Sequence, residues 1–306
     1  MNERIKRVLA ESSARGMVLR SITRAFWHAA EGLTAIGDRF ALRHDMSAFT
    51  PAAVRSLLQR NAQYANCHKG ERCFILGTGP SLQGQNLALL KNETVFATNL
   101  GYRYLADQPI RPKYYVIVDR LLLEPASRES LRAISAYARR CGSTLFVEGN
   151  VPDLPHEVLN GADVRYLHSM MRARDYARAK RPVPIDPTRA LPGFESVIHA
   201  CVTLCLYMGF EKVYLLGCDM DYFAKPNEIY THAYPETPES LSVTTELFRE
   251  DQIDLMRRAT WEFETLRALD KIARANGQAI YNATAGGYME VVQRVDFASL
   301  FAEGPR

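Results

Sequence analysis

The sequence contains no CxxC pair, only two tryptophans, and no uninterrupted apolar run approaching the ~20 residues of a membrane span. Without a CxxC pair, the six cysteines (Cys67, Cys73, Cys141, Cys201, Cys205, Cys218) read as reduced and structural. Three of them lie inside apolar runs, where a thiol packs as a small hydrophobe, as expected of a cytoplasmic protein. The stretch MNERIKRVLAESSARG scatters charge where a signal peptide would carry an apolar core. The scarcity of tryptophan and the lack of an aromatic–basic repeat argue against nucleic acid as a partner. The net charge of +4 favours anionic ligands or surfaces but is too mild for a nucleic-acid binder. What is present, 47% hydrophobic and 24% charged over 306 residues, is an ordinary globular composition for one large domain or two small ones.

The beginning of the chain differs from the rest. Residues 1–62 read as an N-terminal helical extension, with apolar residues at helical spacing (Ile22, Phe26, Leu33, Ile36, Phe40). Arg4, Lys6, Arg7, Arg15, Arg20 and Arg24 make its first half basic. Such a stripe docks on its own domain, pairs with a copy of itself in a homo-oligomer, or lies on an anionic surface. Residues 1–45 therefore carry either self-association or a peripheral contact with the inner membrane. A second helix is expected after Thr50-Pro51, with Thr at the cap and Pro at the first helical position.

From Cys73 onward, short apolar runs alternate with helical patterns. CFIL (73–76), TVFATN (94–99), YYVIVD (114–119), STLFVEG (143–149), VYLLGCD (213–219) and AIYNAT (279–284) read as strands. Helices are expected over 124–141, 195–209 and 249–276, the last stopped by Asn276-Gly277. This alternation predicts an α/β fold, a Rossmann-like, mostly parallel sheet with helices on both faces. Residues 170–192, rich in Arg and Pro, read as an irregular basic loop, over a cleft or simply solvated.

Ligands of open α/β sheets collect outside the C-terminal ends of the strands, and three features fall there. After CFIL comes Gly77-Thr78-Gly79-Pro80-Ser81, where two glycines allow close approach and two hydroxyls can donate; neither GxGxxG nor GK[ST] is present. Asn99, Asp119 and Asp219 each end a strand; alone each would be a turn or cap residue, together they converge on one crevice. The stretch 217–238 adds Asp221, Tyr222, Tyr230, His232 and Tyr234. Asp219 and Asp221 have the spacing to hold a divalent metal on a diphosphate. His232 suits a general base that takes a proton from a hydroxyl. His168 and His199 lack partners at metal spacing, and His199 reads as packed.

HKGERCFILGTGPSL (68–82), FATNLGY (96–102), PKYYVIVD (112–119), YMGFEKVYLLGCDMDY (207–222) and GQAIYNATAGGYMEVV (277–292) resemble the MptE-like superfamily, over about residues 68–300. That superfamily includes 6-hydroxymethylpterin pyrophosphokinases and the Maf flagellin glycosyltransferases. It is distantly similar to bacterial sialyltransferases of the Campylobacter type, a GT-A variant. The resemblance implies that residues 63–306 form a Rossmann-like nucleotide-sugar-binding catalytic domain. It further implies transfer of a nonulosonic acid (sialic, pseudaminic or legionaminic type) from a CMP-activated donor to a surface glycan or flagellin. The reaction would be an inverting single displacement without a cofactor. By the same resemblance, Gly77, Thr78, Gly79, Pro80, Ser81 and Asn99 hold the donor nucleotide, and Ser196 contacts it at the start of the apolar helix. Asp119 stands where those enzymes carry asparagine. Tyr222 and Tyr230 would steady the leaving phosphate, with Asp219 beside them, and His232 would be the base. The alternatives are a pyrophosphokinase using ATP with Mg²⁺ on Asp219 and Asp221, or a non-catalytic nucleotide-binding protein of polysaccharide assembly.

Overall fold

A computed structural model of the chain describes residues 52–149, 156–169, 185–224, 231–237 and 251–302. The chain falls into two compact units, 1–49 and 50–306, and the described residues all belong to the second. The amphipathic stripe of residues 17–40 and the proposed contact surface 1–45 lie outside the described residues. The helix expected after Pro51 is α1 (Ala52–Gln59); it belongs to the second unit, although the sequence grouped it with the extension.

Among the described residues eight strands form one sheet: β1 (Arg72–Leu76), β2 (Thr94–Thr98), β3 (Tyr114–Ile117), β4 (Thr144–Glu148), β5 (Asp163–Leu167), β6 (Lys212–Leu216), β7 (Ala279–Asn282) and β8 (Gln293–Arg294). Their order is β5-β4-β3-β2-β1-β6-β7-β8, and every ladder is parallel. The α/β class expected from the alternation is the fold observed. Six of the strands follow the apolar runs. β5 and β8 are additions: DVRYL alternates polar and apolar residues as an edge strand does, and β8 is only two residues long.

Among the described residues the helices are α1, α2 (Tyr102–Leu105), α3 (Arg120–Leu123), α4 (Arg128–Cys141), α5 (Val197–Met208) and α6 (Gln252–Ala275). The helix expected over 124–141 begins only at Arg128. Pro125 opens a separate 3-10 turn through Ser127, because a proline inside a helix removes a hydrogen bond.

Each central strand is apolar on both faces, and successive residues point to opposite sides. Phe74, Leu76, Val95, Tyr115 and Leu216 join the core layer that includes Leu131, Ile134 and Tyr137 of α4. Cys73, Ile75, Phe96, Val116 and Leu215 join the layer formed with α5 and α6. Helix α5 is buried along nearly its whole length, which explains a sequence apolar on every side. It stops at Gly209, whose φ of +83° suits a residue without a side chain. Two arrays of packed apolar side chains thus clamp the sheet. All six cysteines are free thiols, four of them buried. No helix of the described residues is long and apolar enough to cross a membrane.

The strand order reverses at β1. The chain runs from β1 outward to β5 on one side, then returns to place β6 against the other edge of β1. The strand-end crevice of a parallel sheet opens at such a reversal. Here it lies just beyond Leu76 and Leu216.

Candidate functional site

The two strand ends at the reversal are stitched together. The Gly77 N–H donates to the Leu216 carbonyl at 2.8 Å and the Gly79 N–H to the Gly217 carbonyl at 2.9 Å. A Cβ on Gly77 would overlap the Gly217 carbonyl, and one on Gly79 would overlap the Asp219 carboxylate. The two glycines therefore let β1 and β6 meet, a requirement that stands with or without a ligand. Ser81 Oγ donates to Asp219 Oδ2 at 2.8 Å, and the Asp219 carbonyl accepts the Tyr288 N–H at 2.8 Å. Burial, with the charge of Asp221 beside it, raises the Asp219 carboxyl above its ordinary range, against the pull of the Ser81 bond.

A cavity of about 410 Å³ opens over this junction. Of the residues singled out on sequence, it brings together Gly77, Thr78, Gly79, Asn99, Asp119, Ser196, Asp219, Tyr222 and His232 along one wall or another. Pro80 and Ser81 sit just behind the wall in the turn Pro80–Gly84, and Asp221 does not border the cavity. Tyr230 and residues 172–181 of the basic loop lie outside the described residues.

Asn99 has a φ of +42°, a left-handed backbone that costs energy for a residue with a side chain. It is held there by Tyr115, whose buried hydroxyl donates to the Asn99 carbonyl at 2.6 Å and accepts the Tyr102 N–H at 3.0 Å. Asn99 Oδ1 is buried without a hydrogen-bond partner among the described residues. An orphaned acceptor of this kind costs about 1–3 kcal/mol, which an arriving donor would recover. Asp119 caps α3, accepting the Leu121 N–H at 3.0 Å, and burial raises its carboxyl. Ser196 caps α5, accepting the Ile198 N–H at 3.3 Å. Both have a structural duty as well as a place on the cavity wall.

The segment 231–237 reaches the cavity by backbone bonds. The Ala233 N–H donates to the Thr78 carbonyl at 2.8 Å, and Gln83 Nε2 donates to the Ala233 carbonyl at 2.7 Å. His232 is thereby set beside the glycine turn. Its Nδ1 lies 2.6 Å from Glu236 Oε1, which also accepts the His232 backbone N–H at 3.0 Å. A carboxylate accepts, so Nδ1 carries the proton and the basic lone pair falls on Nε2. The ring stacks on Tyr234, with centroids 4.7 Å apart.

The opposite wall comes from the two helices. Glu262 on α6 borders the cavity, with Oε1 3.0 Å from the Tyr222 hydroxyl. Burial pushes the Glu262 carboxyl up to about 8; the Tyr222 bond and the charge of Arg258 pull it down, and Glu195 pushes it up. His199 on α5 donates from Nε2 to the Glu262 carbonyl at 3.1 Å. Burial lowers it to about 4, so it stays neutral at pH 7. Glu236, Arg258 and Glu262 escape sequence reading. The last two sit on a long amphipathic helix where charged residues are ordinary, and Glu236 follows His232 in a loop, where i,i+4 spacing predicts nothing.

A family model described as "6-hydroxymethylpterin diphosphokinase MptE-like" matches residues 52–225, more than half of the chain. The chain belongs to the MptE-like family. The match covers the glycine turn, Asn99, Asp119, Ser196, Asp219 and Tyr222, and ends before His232, Glu236 and Glu262. Among solved structures, the chain is similar to the Maf glycosyltransferase from Magnetospirillum magneticum AMB-1, at 18% identity and a TM-score of 0.48. That alignment covers 79% of this chain and 38% of the other, so this MptE-like chain spans well under half the length of that relative. No match was found among curated proteins.

Proposed function

We propose that the cavity binds a CMP-activated nonulosonic acid and transfers the sugar to a hydroxyl of a glycan or protein acceptor. The acceptor oxygen attacks the anomeric carbon as the bond from that carbon to the phosphate oxygen breaks. The acceptor proton passes to His232 Nε2, and CMP leaves with the bonding electron pair. Because attack and departure occur on opposite faces, the configuration inverts. The observation that carries this reading is the His232–Glu236 pair at 2.6 Å, tied by the Ala233–Thr78 bond to a glycine turn at the sheet's reversal point.

The rest of the wall supports it chemically. A leaving phosphate gathers negative charge, and Tyr222, Tyr234, Arg120 and Arg258 border the same cavity as hydroxyl or cationic groups. Asn99 Oδ1 lacks a donor, and the exocyclic amine of cytosine is one such donor. In the diphosphokinase alternative, Mg²⁺ would rest on Asp219 and Asp221. Only Asp219 borders the cavity, and Ser81 already engages one of its oxygens.

The test is a thermal-shift panel with CMP, ATP, and ATP plus Mg²⁺. Ligand at 100 times its dissociation constant adds about 2.7 kcal/mol, an easily read shift. Stabilisation by CMP without metal is the expected result. Stabilisation confined to ATP with Mg²⁺ would overturn the reading in favour of diphosphate transfer.

A further inference from the structure

Tyr222 enters the proposed reaction as a donor to the leaving phosphate, yet its hydroxyl faces a carboxyl that bears on whether it can serve. The hydroxyl sits 3.0 Å from Glu262 Oε1, and both residues border the cavity. If Glu262 is ionised, it can only accept, so the Tyr222 proton points at Glu262 and the phenol oxygen turns its lone pairs elsewhere. If Glu262 is protonated, the carboxyl donates to the phenol oxygen and the Tyr222 proton turns toward the cavity. Two protonation states thus give Tyr222 opposite polarities toward an anion.

We propose that Glu262 is the positioning residue for Tyr222, holding it as a hydrogen-bond donor to a nucleotide phosphate only while Glu262 carries a proton, so that phosphate binding is linked to proton retention at this pair. The inference rests on the nucleotide-binding reading above. It adds a coupling that the glycosyl-transfer chemistry does not require.

The surroundings fit. Glu262 is 8% exposed. Among the described residues, the titratable and charged groups facing it are Tyr222 and Cys218 beyond the end of β6, Arg258 one turn earlier on α6, Glu195 before α5, and His199 on α5. Arg258 is the cation of this group, and Glu195 opposes it. Burial holds the carboxyl protonated up to about pH 8. A phosphate dianion placed against Tyr222 adds a like charge, which pushes the carboxyl higher still. A phosphate monoester has its second pKa near 6 and is almost wholly dianionic by about pH 8, so any slope above pH 8 belongs to the protein.

The experiment measures CMP affinity of the full chain by calorimetry from pH 7 to pH 9.5, in buffers of different ionisation heat. For the wild type, affinity is expected to fall as pH rises above 8, approaching tenfold per unit, with uptake of up to one proton per CMP at pH 9. Glu262→Gln, whose amide stays neutral at every pH and can donate to the phenol, should show no such fall and keep at pH 9 the affinity it has at pH 7. Tyr222→Phe should bind weakly across the range without the slope. An infrared carbonyl band of a protonated carboxyl at pH 7, lost in Glu262→Gln, checks the proton without any ligand.

Equal slopes in wild type and Glu262→Gln would overturn the proposal, as would absence of the carboxyl band. Should AMP bind in place of CMP, the cytidine reading fails, and the AMP slope judges Glu262 in the same way. Failure of both nucleotides at every pH overturns both readings.

Discussion

Among the described residues there are two histidine–glutamate pairs, one near each end of the sheet. His68 precedes β1, with Nδ1 2.8 Å from Glu71 and Nε2 2.7 Å from the Tyr114 hydroxyl. It is 4% exposed and stacked on Phe210, with centroids 4.3 Å apart. His232 lies beyond the C-terminal ends of the strands, with Nδ1 2.6 Å from Glu236 and its ring on Tyr234. The residue types are the same and the distances nearly so. Both nitrogens of the first ring are engaged within the fold, so it is a structural brace. The second borders a cavity at the sheet's reversal point. A histidine with a carboxylate partner is therefore a common motif, and its position relative to the strand ends decides what it can do.

Mutation should separate the two pairs. The largest effect is expected for His232→Ala: transfer falls by about 10²–10⁴-fold, the usual contribution of a general base, while CMP affinity and melting temperature barely move. Near-normal turnover would remove His232 from the mechanism. His68→Ala should do the reverse, costing about 3 kcal/mol of stability through lost bonds and an emptied stack, with activity per folded molecule kept. Urea titration paired with a transfer assay reads both.

A third histidine sharpens the contrast by pH. His199 takes its proton only at about pH 4 when folded but near 6.5 when unfolded. Between those values the unfolded chain binds the extra proton, so stability is intact above pH 6.5 and declines on acidification, by up to about 3 kcal/mol at pH 4. Denaturant midpoints should follow this decline, and His199→Gln should flatten it. An unchanged slope in the variant would assign the acid sensitivity to other groups.

The smallest differences concern the carboxylates. The Glu236 side chain is 14% exposed and Glu71 54%. Glu236→Gln should cost roughly 2 kcal/mol in the barrier, about 30-fold in rate, by weakening a charge-assisted bond. Glu71→Gln should change stability by less than 1 kcal/mol, as for exposed ion pairs.

Much of the fold is legible in the sequence because buried parallel strands are written as unbroken apolar runs. CFIL and VYLLGCD could hardly be anything else. DVRYL was not legible: an edge strand keeps polar residues on one side, and β5 exists by pairing with β4 rather than by its own pattern. The turn after CFIL is legible, but only half of its reason is. Gly77 and Gly79 are glycines because β6 passes too close for any side chain, a fact about residues some 140 positions away. Asn99 and His232 could be picked out as polar residues in the right places. The strain at Asn99 and the Glu262–Tyr222 contact depend on tertiary approach, which local spacing does not encode.

The reversal of strand order has a consequence for how the protein is made. β1 is the first strand of the described residues and ends at the centre of the sheet, and Arg72 finds its partner Lys212 only after 212 − 72 = 140 further residues. At roughly 5–20 residues per second, that partner leaves the ribosome about 7–28 s later. During that interval β1 has its β2 side covered and its other edge bare, an apolar strand with open hydrogen-bonding groups. The crevice between β1 and β6 thus closes only after β2 to β5 have all been made. A nascent chain stalled before residue 212 should be a client of chaperones that bind exposed strands, and it should have no ligand site at all.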